Sequence, residues 1–289
     1  MITKDLGAST TKSYEGSYKR LRKILNLTDK RKPIKKLELK FILDKIDEVP
    51  NPSTRHSVMV LTKKIFPYND DNKNLYDSID DKIKKDKRDL QIEKNGGLDK
   101  ALPTYNEIDN AIKKETDPRK YITSFIMFKI NTRNQDISLI DLHKNKKDEY
   151  DQERNHLILD GNKVIYIRNK YKTSKRYGTK KNIIVVKKFA DMIKKLLGDK
   201  EEMKLFTQKN GEKITDSSTA SYLKKYVVLG LNENKIIKAV LKNAADGENS
   251  YEKIRKISNN RGTTTAVLLS EYDISNVKEP SEIIKNDKK

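Results

Sequence analysis

The chain contains no cysteine, no tryptophan and only three histidines in 289 residues. Without thiols it can form neither disulfides nor thiolate metal sites. The histidines, His56, His143 and His156, do not follow one another at the spacing of paired metal ligands. We therefore expect no metal and no cofactor in the chemistry of this protein.

Long apolar runs are also missing. Residues 1–30 contain nothing that resembles a signal peptide. No stretch of the chain approaches the roughly 20 apolar residues that a helix needs to cross a bilayer. We therefore expect a soluble intracellular protein without a membrane partner.

Positive charge is what the sequence has in excess. There are 63 Lys and Arg residues against 42 Asp and Glu, which gives a formal net charge of +21. Such an excess predicts a polyanionic partner, and nucleic acid is the first candidate. The alternative is a solvated, lysine-rich surface that reflects an AT-rich genome and has no binding role.

The first part of the chain predicts a small helical domain. Tyr14, Tyr18, Leu21 and Leu25 fall on one helical face, and two further amphipathic segments follow at about 33–46 and 53–66. Residues 69–100 are rich in Asn, Asp and Lys, which favours a charged helical extension followed by a linker, or else a disordered spacer. The predicted domains are residues 1–95 and residues 96–289.

The second domain mixes helical and β-prone patterns. Thr104 and Glu107 have the spacing of a capping box, and the apolar segment 121–130 predicts a core helix. Three short β-prone runs follow at 157–159, 164–167 and 182–186, the first two joined by a tight turn at Gly161. Helical patterns return at 189–197, 217–227, 233–243 and 261–270. We expect an α+β fold, with a small three-stranded antiparallel sheet on a mostly helical body.

Four landmarks of the second domain occur in a particular order. They are the helix end with Asn131-Thr132-Arg133-Asn134-Gln135-Asp136, the sheet whose last connection is 169–178, the pair Leu205-Phe206, and Ser258-Asn259-Asn260-Arg261-Gly262-Thr263-Thr264-Thr265-Ala266. This succession resembles the catalytic domain of the tyrosine recombinases (integrases), particularly the divergent forms carried by large DNA viruses and their parasites. The preceding helices resemble the core-binding (SAM-like) domain of that family, so the resemblance covers nearly the whole chain.

The resemblance implies a role for each matching residue. Arg133 and Arg261 match the two arginines that hold the attacked phosphate, where charge grows on the non-bridging oxygens. Lys172 matches the lysine that protonates the leaving 5′ oxygen, with Lys170 and Lys175 as rivals in the same segment. The remaining expected site residues are Asp136, which would orient the helix end or Arg133, Ser258 at the histidine position of the family, and Lys170, Lys175 and Arg176 as DNA contacts.

The sequence departs from the family pattern on both sides of Arg261. Ser258 stands where the family has histidine, and the last tyrosine, Tyr272, is eleven residues beyond Arg261. On a continuing helix that separation is about 16 Å, too far for one phosphate to touch both residues. The expected explanations are a truncated or frameshifted reading frame, a tyrosine supplied in trans, or a relative that has lost catalysis.

Three functions therefore remain open. The first is a recombinase or integrase that acts on duplex DNA, and the second is an inactive relative that serves as an architectural or virion-associated DNA-binding protein. The third is an unrelated RNA-binding protein, for which the sequence contains no recognisable RNA-binding motif. The resemblance implies double-stranded DNA as partner, leaves homo-oligomers on DNA open, and extends the expected location to the cytoplasm or nucleus of a host or to a virion.

Overall fold

The chain forms two compact units, residues 1–100 and residues 101–289. The computed structural model describes residues 8–29, 32–99, 102–208, 214, 216–246 and 248–271. Tyr272, the last tyrosine of the sequence, lies outside the described residues. No helix in the described ranges is both long enough and apolar enough to cross a membrane.

The first unit is helical. Its helices are α1 (Ala8–Ile24), α2 (Leu39–Asp47), α3 (Pro52–Ile65) and α4 (Lys73–Asp99), with a short 3₁₀ turn over Ile34–Lys36 before α2. The predicted second helix therefore begins later than expected, because residues 34–36 take the tighter 3₁₀ turn. The core of the unit consists of buried apolar side chains from all four helices: Leu21, Leu25, Ile42, Leu43, Ile46, Val58, Met59, Leu61, Tyr76 and Ile83.

A buried arginine joins three of these helices. Arg55 on α3 is 5% exposed, and it pairs with Asp47 of α2 at 3.4 Å and with Asp86 of α4. Because the long helix α4 is rich in charged residues, this pairing supplements its few apolar contacts, Tyr76 and Ile83. The predicted charged extension is thus helical over Lys73–Asp99.

The second unit is built from nine helices in its described part and a single sheet. The helices are α5 (Tyr105–Lys114), α6 (Pro118–Phe125), α7 (Asn134–Ser138), α8 (Ser174–Tyr177), α9 (Lys187–Leu197), α10 (Asp216–Leu223), α11 (Glu233–Ala245), α12 (Ser250–Arg261) and α13 (Thr265–Glu271). A π-helical turn over Ile126–Ile130 continues α6. The capping box predicted at the start of α5 is present, with the Thr104 hydroxyl and the Glu107 carboxylate each accepting the backbone N–H of the other residue.

The sheet has five strands, and the expected three-stranded antiparallel sheet is wrong. Its strands are β1 (Ile140–His143), β2 (Asn155–Asp160), β3 (Lys163–Arg168), β4 (Lys180–Ile184) and β5 (Glu202–Lys204), in the order β4-β3-β2-β1-β5. The three predicted strands correspond to β2, β3 and β4, while β1 pairs parallel with β2 and antiparallel with β5. Both added strands are too short for a recognisable alternating pattern, and only their tertiary neighbours make them strands. The α+β class itself is confirmed.

The inner face of the sheet packs against the helical body. Every second side chain of a strand points to the same face of the sheet. On β3 the side chains of this inner face are Val164, Tyr166 and Arg168, and all three are completely buried. The predicted core helix supplies Tyr121, Ile122, Phe125, Ile126, Met127 and Phe128 to the same core. An arginine at the end of such a buried face is unusual, and its partners belong to the site described next.

The predicted helix 261–270 does not exist as one element. Helix α12 ends at Arg261, Gly262 adopts a left-handed conformation with φ of 62°, and α13 begins only at Thr265. Glycine at this position is a common helix stop because it has no Cβ to oppose positive φ. Arg261 therefore ends a helix, although the sequence pattern predicted that it would begin one.

Candidate nucleic-acid phosphate site

Arg261 lies in the last turn of α12 and is almost completely buried. Its Nη2 donates to Oε1 of Glu233, the first residue of α11, at 2.6 Å. The side chain of Glu233 is 17% exposed, so solvent reaches this pair from the Glu233 side. A cation at a helix C-terminus is also favoured by the helix dipole.

Arg133 is held near the same carboxylate through its neighbour. Arg133 is half-buried and stands directly before α7, with extended backbone dihedrals. The backbone N–H of the next residue, Asn134, donates to Oε2 of Glu233 at 2.8 Å. One carboxylate therefore joins the two chain segments that carry Arg133 and Arg261.

Asp136 lies in the first turn of α7, three residues after Arg133, and is 1% exposed. Its Oδ2 lies 3.5 Å from Nη1 of Arg168, the nearest guanidinium that pairs with it. Burial raises the pKa of Asp136 to about 6, against the opposing influence of the Arg168 and Arg133 charges. Asp136 was expected to orient the helix end or Arg133. In the structure its carboxylate forms an ion pair with Arg168 and also interacts with the nearby Arg133.

The connection between β3 and β4, residues 169–179, is bound to the end of α12. Arg168 Nη2 donates to the carbonyl of Asn260 at 2.7 Å, and Thr173 Oγ1 donates to the carbonyl of Gly262 at 2.9 Å. Lys180 Nζ donates to the carbonyl of Asn259. These bonds bring the lysine-rich connection to the helix end that carries Arg261.

The lysines of this connection differ in their surroundings. Lys172 and Lys175 are exposed, as is Arg176, whereas Lys170 is half-buried and pairs with Glu153. Of the three residues predicted as DNA contacts, Lys175 and Arg176 therefore face solvent freely, while Lys170 reaches solvent but is paired with Glu153.

Lys180 is a further lysine of the site, and the sequence pattern did not single it out. It is half-buried, and its Nζ lies 4.8 Å from the ring centre of Tyr171. Burial lowers the pKa of Lys180, and the Arg168 and Arg133 charges lower it further. Lys180 stands directly opposite Arg168 in the β3–β4 pair. The pairing register of these two strands is therefore the signal that could have identified it.

Ser258, at the position where the family has histidine, is committed to contacts within the protein. It is 1% exposed, and its hydroxyl donates to the carbonyl of Arg255 at 2.8 Å. The same oxygen lies 3.1 Å from the hydroxyl of Thr265, at the start of α13. In this arrangement Ser258 ties α12 to α13.

Two charged residues of the site, Arg168 and Glu233, were missed by the sequence analysis. Arg168 fell between the predicted strand 164–167 and the connection 169–178, and Glu233 was the first residue of the predicted helix 233–243. Neither residue carries a motif, and each acquires its partner from a segment far away in sequence. No group of three or more His, Cys, Asp or Glu residues in the described part of the chain is arranged to hold a metal ion.

The raised pKa of Asp136 predicts a pH effect on stability. The ordinary value is 3.8 and the folded value is about 6, so between these values the folded state binds more protons than the unfolded state. The contribution of the protonated Asp136 carboxyl group to the free energy of unfolding is therefore complete below about pH 4 and is lost as the pH rises through 6. We expect the free energy of unfolding of the wild type, minus that of Asp136→Asn, to fall by roughly 1–3 kcal/mol from pH 4 to pH 7.

This difference is measured by urea unfolding of both proteins at a series of pH values. The wild type and the variant share all other titrating groups, so the subtraction isolates Asp136. A difference that stays constant or rises with pH would show that the carboxyl group is not forced toward its neutral form by burial.

Comparisons with known proteins find similarity only at a distance. No family model matches the sequence, and no curated protein matches it. Among solved structures, the chain is similar to the crystal structure of XerA recombinase, with a TM-score of 0.36 and 13% sequence identity over 97% of this chain and 91% of that one.

Proposed function

We propose that the second unit binds duplex DNA at a backbone phosphate through Arg133 and Arg261, in the manner of a tyrosine-recombinase-like protein. The observation that carries this proposal is the carboxylate of Glu233, bound by Arg261 at 2.6 Å and by the N–H of Asn134 at 2.8 Å. An anionic group therefore already lies where the two arginine-bearing segments meet. A phosphate oxygen presents the same acceptor chemistry to a guanidinium.

The surroundings of this point favour an incoming polyanion. Lys172, Lys175 and Arg176 are exposed on the connection that is bound to the end of α12. The whole chain has a net charge of +21, which raises the local concentration of any polyanion. Phosphate contacts of this kind position a protein on DNA and carry no base specificity.

The same geometry supports the chemistry of strand transfer. In that reaction the oxygen of a tyrosine gives up its proton to solvent and forms a new bond to phosphorus while the bond to the 5′ oxygen breaks, and the leaving oxygen takes up a proton. Two guanidinium groups would stabilise the charge that grows on the non-bridging oxygens. As the donor of that proton we propose Lys180 as a second candidate in addition to Lys172. The lowered pKa of Lys180 means that it gives up its proton more readily.

A second candidate function is DNA binding without catalysis on the same scaffold. The observation in its favour is Ser258, which is buried and has its hydroxyl engaged by the carbonyl of Arg255 and by Thr265. A side chain in that state does not assist at a phosphate. The protein would then serve as an architectural or virion-associated DNA-binding protein.

Binding of a labelled duplex at several salt concentrations tests the proposal. We expect the logarithm of the affinity to fall linearly with the logarithm of salt concentration, with a slope of about −0.9 for each phosphate that the protein neutralises. Binding that does not depend on salt would contradict phosphate recognition.

A denaturing gel of the same mixtures separates the two candidate functions. A covalent protein–DNA adduct that survives denaturation supports strand transfer through a tyrosine. Salt-dependent binding without an adduct, over duplexes of many sequences, supports the non-enzymatic protein.

A further inference from the structure

Arg168 is the most deeply buried charged side chain of the site. It is the last residue of β3, it is 0% exposed, and it shares the core face of the strand with Val164 and Tyr166. An arginine cannot lose its proton at ordinary pH, so its burial is costly unless partners compensate for the lost water. The identity of those partners indicates what the residue does.

The guanidinium of Arg168 bridges two segments. Nη1 lies 3.5 Å from Oδ2 of Asp136 on α7, and Nη2 donates to the carbonyl of Asn260 at 2.7 Å. The ring centres of Tyr166 and Tyr171 lie 5.8 and 5.4 Å from its Cζ, which restricts the guanidinium from the sides.

Each of these partners is close in sequence to one proposed phosphate ligand. Asp136 is in the first turn of α7, three residues after Arg133, and Asn260 directly precedes Arg261. A movement of Arg168 would therefore shift both ligands, although the residue itself is closed off from solvent. The planar fork of arginine can hold both partners at once, whereas the single ammonium group of lysine cannot reproduce that geometry.

We propose that Arg168 is a positioning residue that fixes the separation of Arg133 and Arg261 for one phosphate. It acts through Asp136 and the carbonyl of Asn260 and does not contact the nucleic acid. This inference rests on the proposed function, because it presupposes that the two arginines bind a common phosphate.

The test is a double-mutant cycle with a labelled duplex of mixed sequence as the probe. Arg168→Lys keeps the charge and loses the bridging geometry, so we expect the duplex affinity to fall about tenfold in the wild-type background. In a background that carries Arg133→Ala and Arg261→Ala, the same substitution is expected to change the affinity less than about twofold, because the residues through which it acts are gone. Arg168→Lys should also make the slope of log affinity against log salt shallower in the wild-type background and leave that slope unchanged in the background without the two arginines.

A matched control is Arg154→Lys. Arg154 forms another half-buried ion pair of the sheet, with Nη2 2.6 Å from Oδ1 of Asp141, but it has no bond to α7 or α12 among those described. We expect this change to leave the duplex affinity within about twofold of the wild type. Thermal unfolding of each variant shows whether it is folded at the temperature of the binding measurement.

The outcomes are distinct. An equal loss of affinity from Arg168→Lys in both backgrounds means that the residue only stabilises the fold, which overturns the inference. No loss in either background overturns it as well. If Arg168→Lys proves unfolded, Asp136→Asn, which removes the negative charge that pairs with Arg168, is carried through the same cycle and is judged by the same coupling. If Arg133→Ala and Arg261→Ala leave binding unchanged, the proposed function itself fails, and this result is visible without any Arg168 variant.

Discussion

Replacing Arg133 and Arg261 together with alanine is expected to lower the affinity for duplex DNA by about 100-fold. A charged hydrogen bond contributes roughly 1.5–3 kcal/mol, so two such bonds to one phosphate contribute at least about 3 kcal/mol. Because each factor of ten in affinity corresponds to about 1.4 kcal/mol, their loss corresponds to about 100-fold or more. If both arginines bind one phosphate, the slope of log affinity against log salt should become shallower by only about one phosphate contact. Filter binding or fluorescence anisotropy over a range of salt concentrations measures both quantities.

Arg261→Ala has a side effect that the experiment must remove. It leaves the carboxylate of Glu233, only 17% exposed, without the guanidinium that pairs with it. An uncompensated charge of this kind destabilises a fold by itself. Adding Glu233→Gln to the double variant removes the charge and keeps an acceptor for the N–H of Asn134.

Two arginines outside the site provide the control for charge alone. Arg119 Nε donates to the carbonyl of Leu205 at 3.3 Å, and Arg154 pairs with Asp141. Changing both to alanine together with Asp141→Asn gives the same change of net charge as the triple variant and leaves no carboxylate unpaired at Asp141. If this control variant lost as much affinity as the Arg133 and Arg261 variant, the effect would be one of net charge, and the phosphate site would be abandoned.

Gly262→Ala is expected to cause a large loss of stability in the second unit, because the added methyl group combines backbone strain with a steric clash. A Cβ at this position would lie 2.4 Å from Thr173 Oγ1 and 3.0 Å from the ring of Tyr171. Both neighbours belong to the β3–β4 connection, whose Thr173 hydroxyl binds the carbonyl of Gly262. The added methyl group must therefore push the connection away from the end of α12.

Gly198→Ala separates this clash from the cost of the backbone conformation. Gly198 also has a positive φ, of 56°, but a Cβ there meets nothing within 4 Å. An alanine in the left-handed region costs roughly 1–2 kcal/mol at Gly262. The backbone cost is no smaller at Gly198, whose ψ of −123° lies outside that region. Overpacking adds about 1–3 kcal/mol at Gly262 alone, which urea unfolding followed by circular dichroism will detect as a lower midpoint.

The same pair of variants also tests the link between the connection and the site. Gly262→Ala should weaken duplex binding under conditions where it is still folded, because it displaces the segment that carries Lys172 and Lys180. A loss at Gly262→Ala of no more than the roughly 1–2 kcal/mol of its backbone conformation would mean that the close approach of Thr173 to Gly262 is not a tight constraint.

Several features followed from the sequence because they depend on neighbouring residues. The capping box of Thr104 and Glu107, the core helix after Pro118 and the turn at Gly161 between β2 and β3 are all local patterns. Side-chain caps, helical periodicity and positive-φ turns act over a few residues, so a sequence is sufficient to predict them. The α+β class follows from the sum of such elements.

The site and the full sheet were decided by contacts between segments that are distant in sequence. The strand β1 exists because Leu142 pairs with Leu157 on one side and with Met203 on the other. Glu233 meets Arg261, and Lys180 meets the carbonyl of Asn259, only after the helices and the sheet have packed. Local patterns could indicate which residues carry charge, but the low dielectric of the packed interior decided which charges pair and which lysine has its pKa lowered.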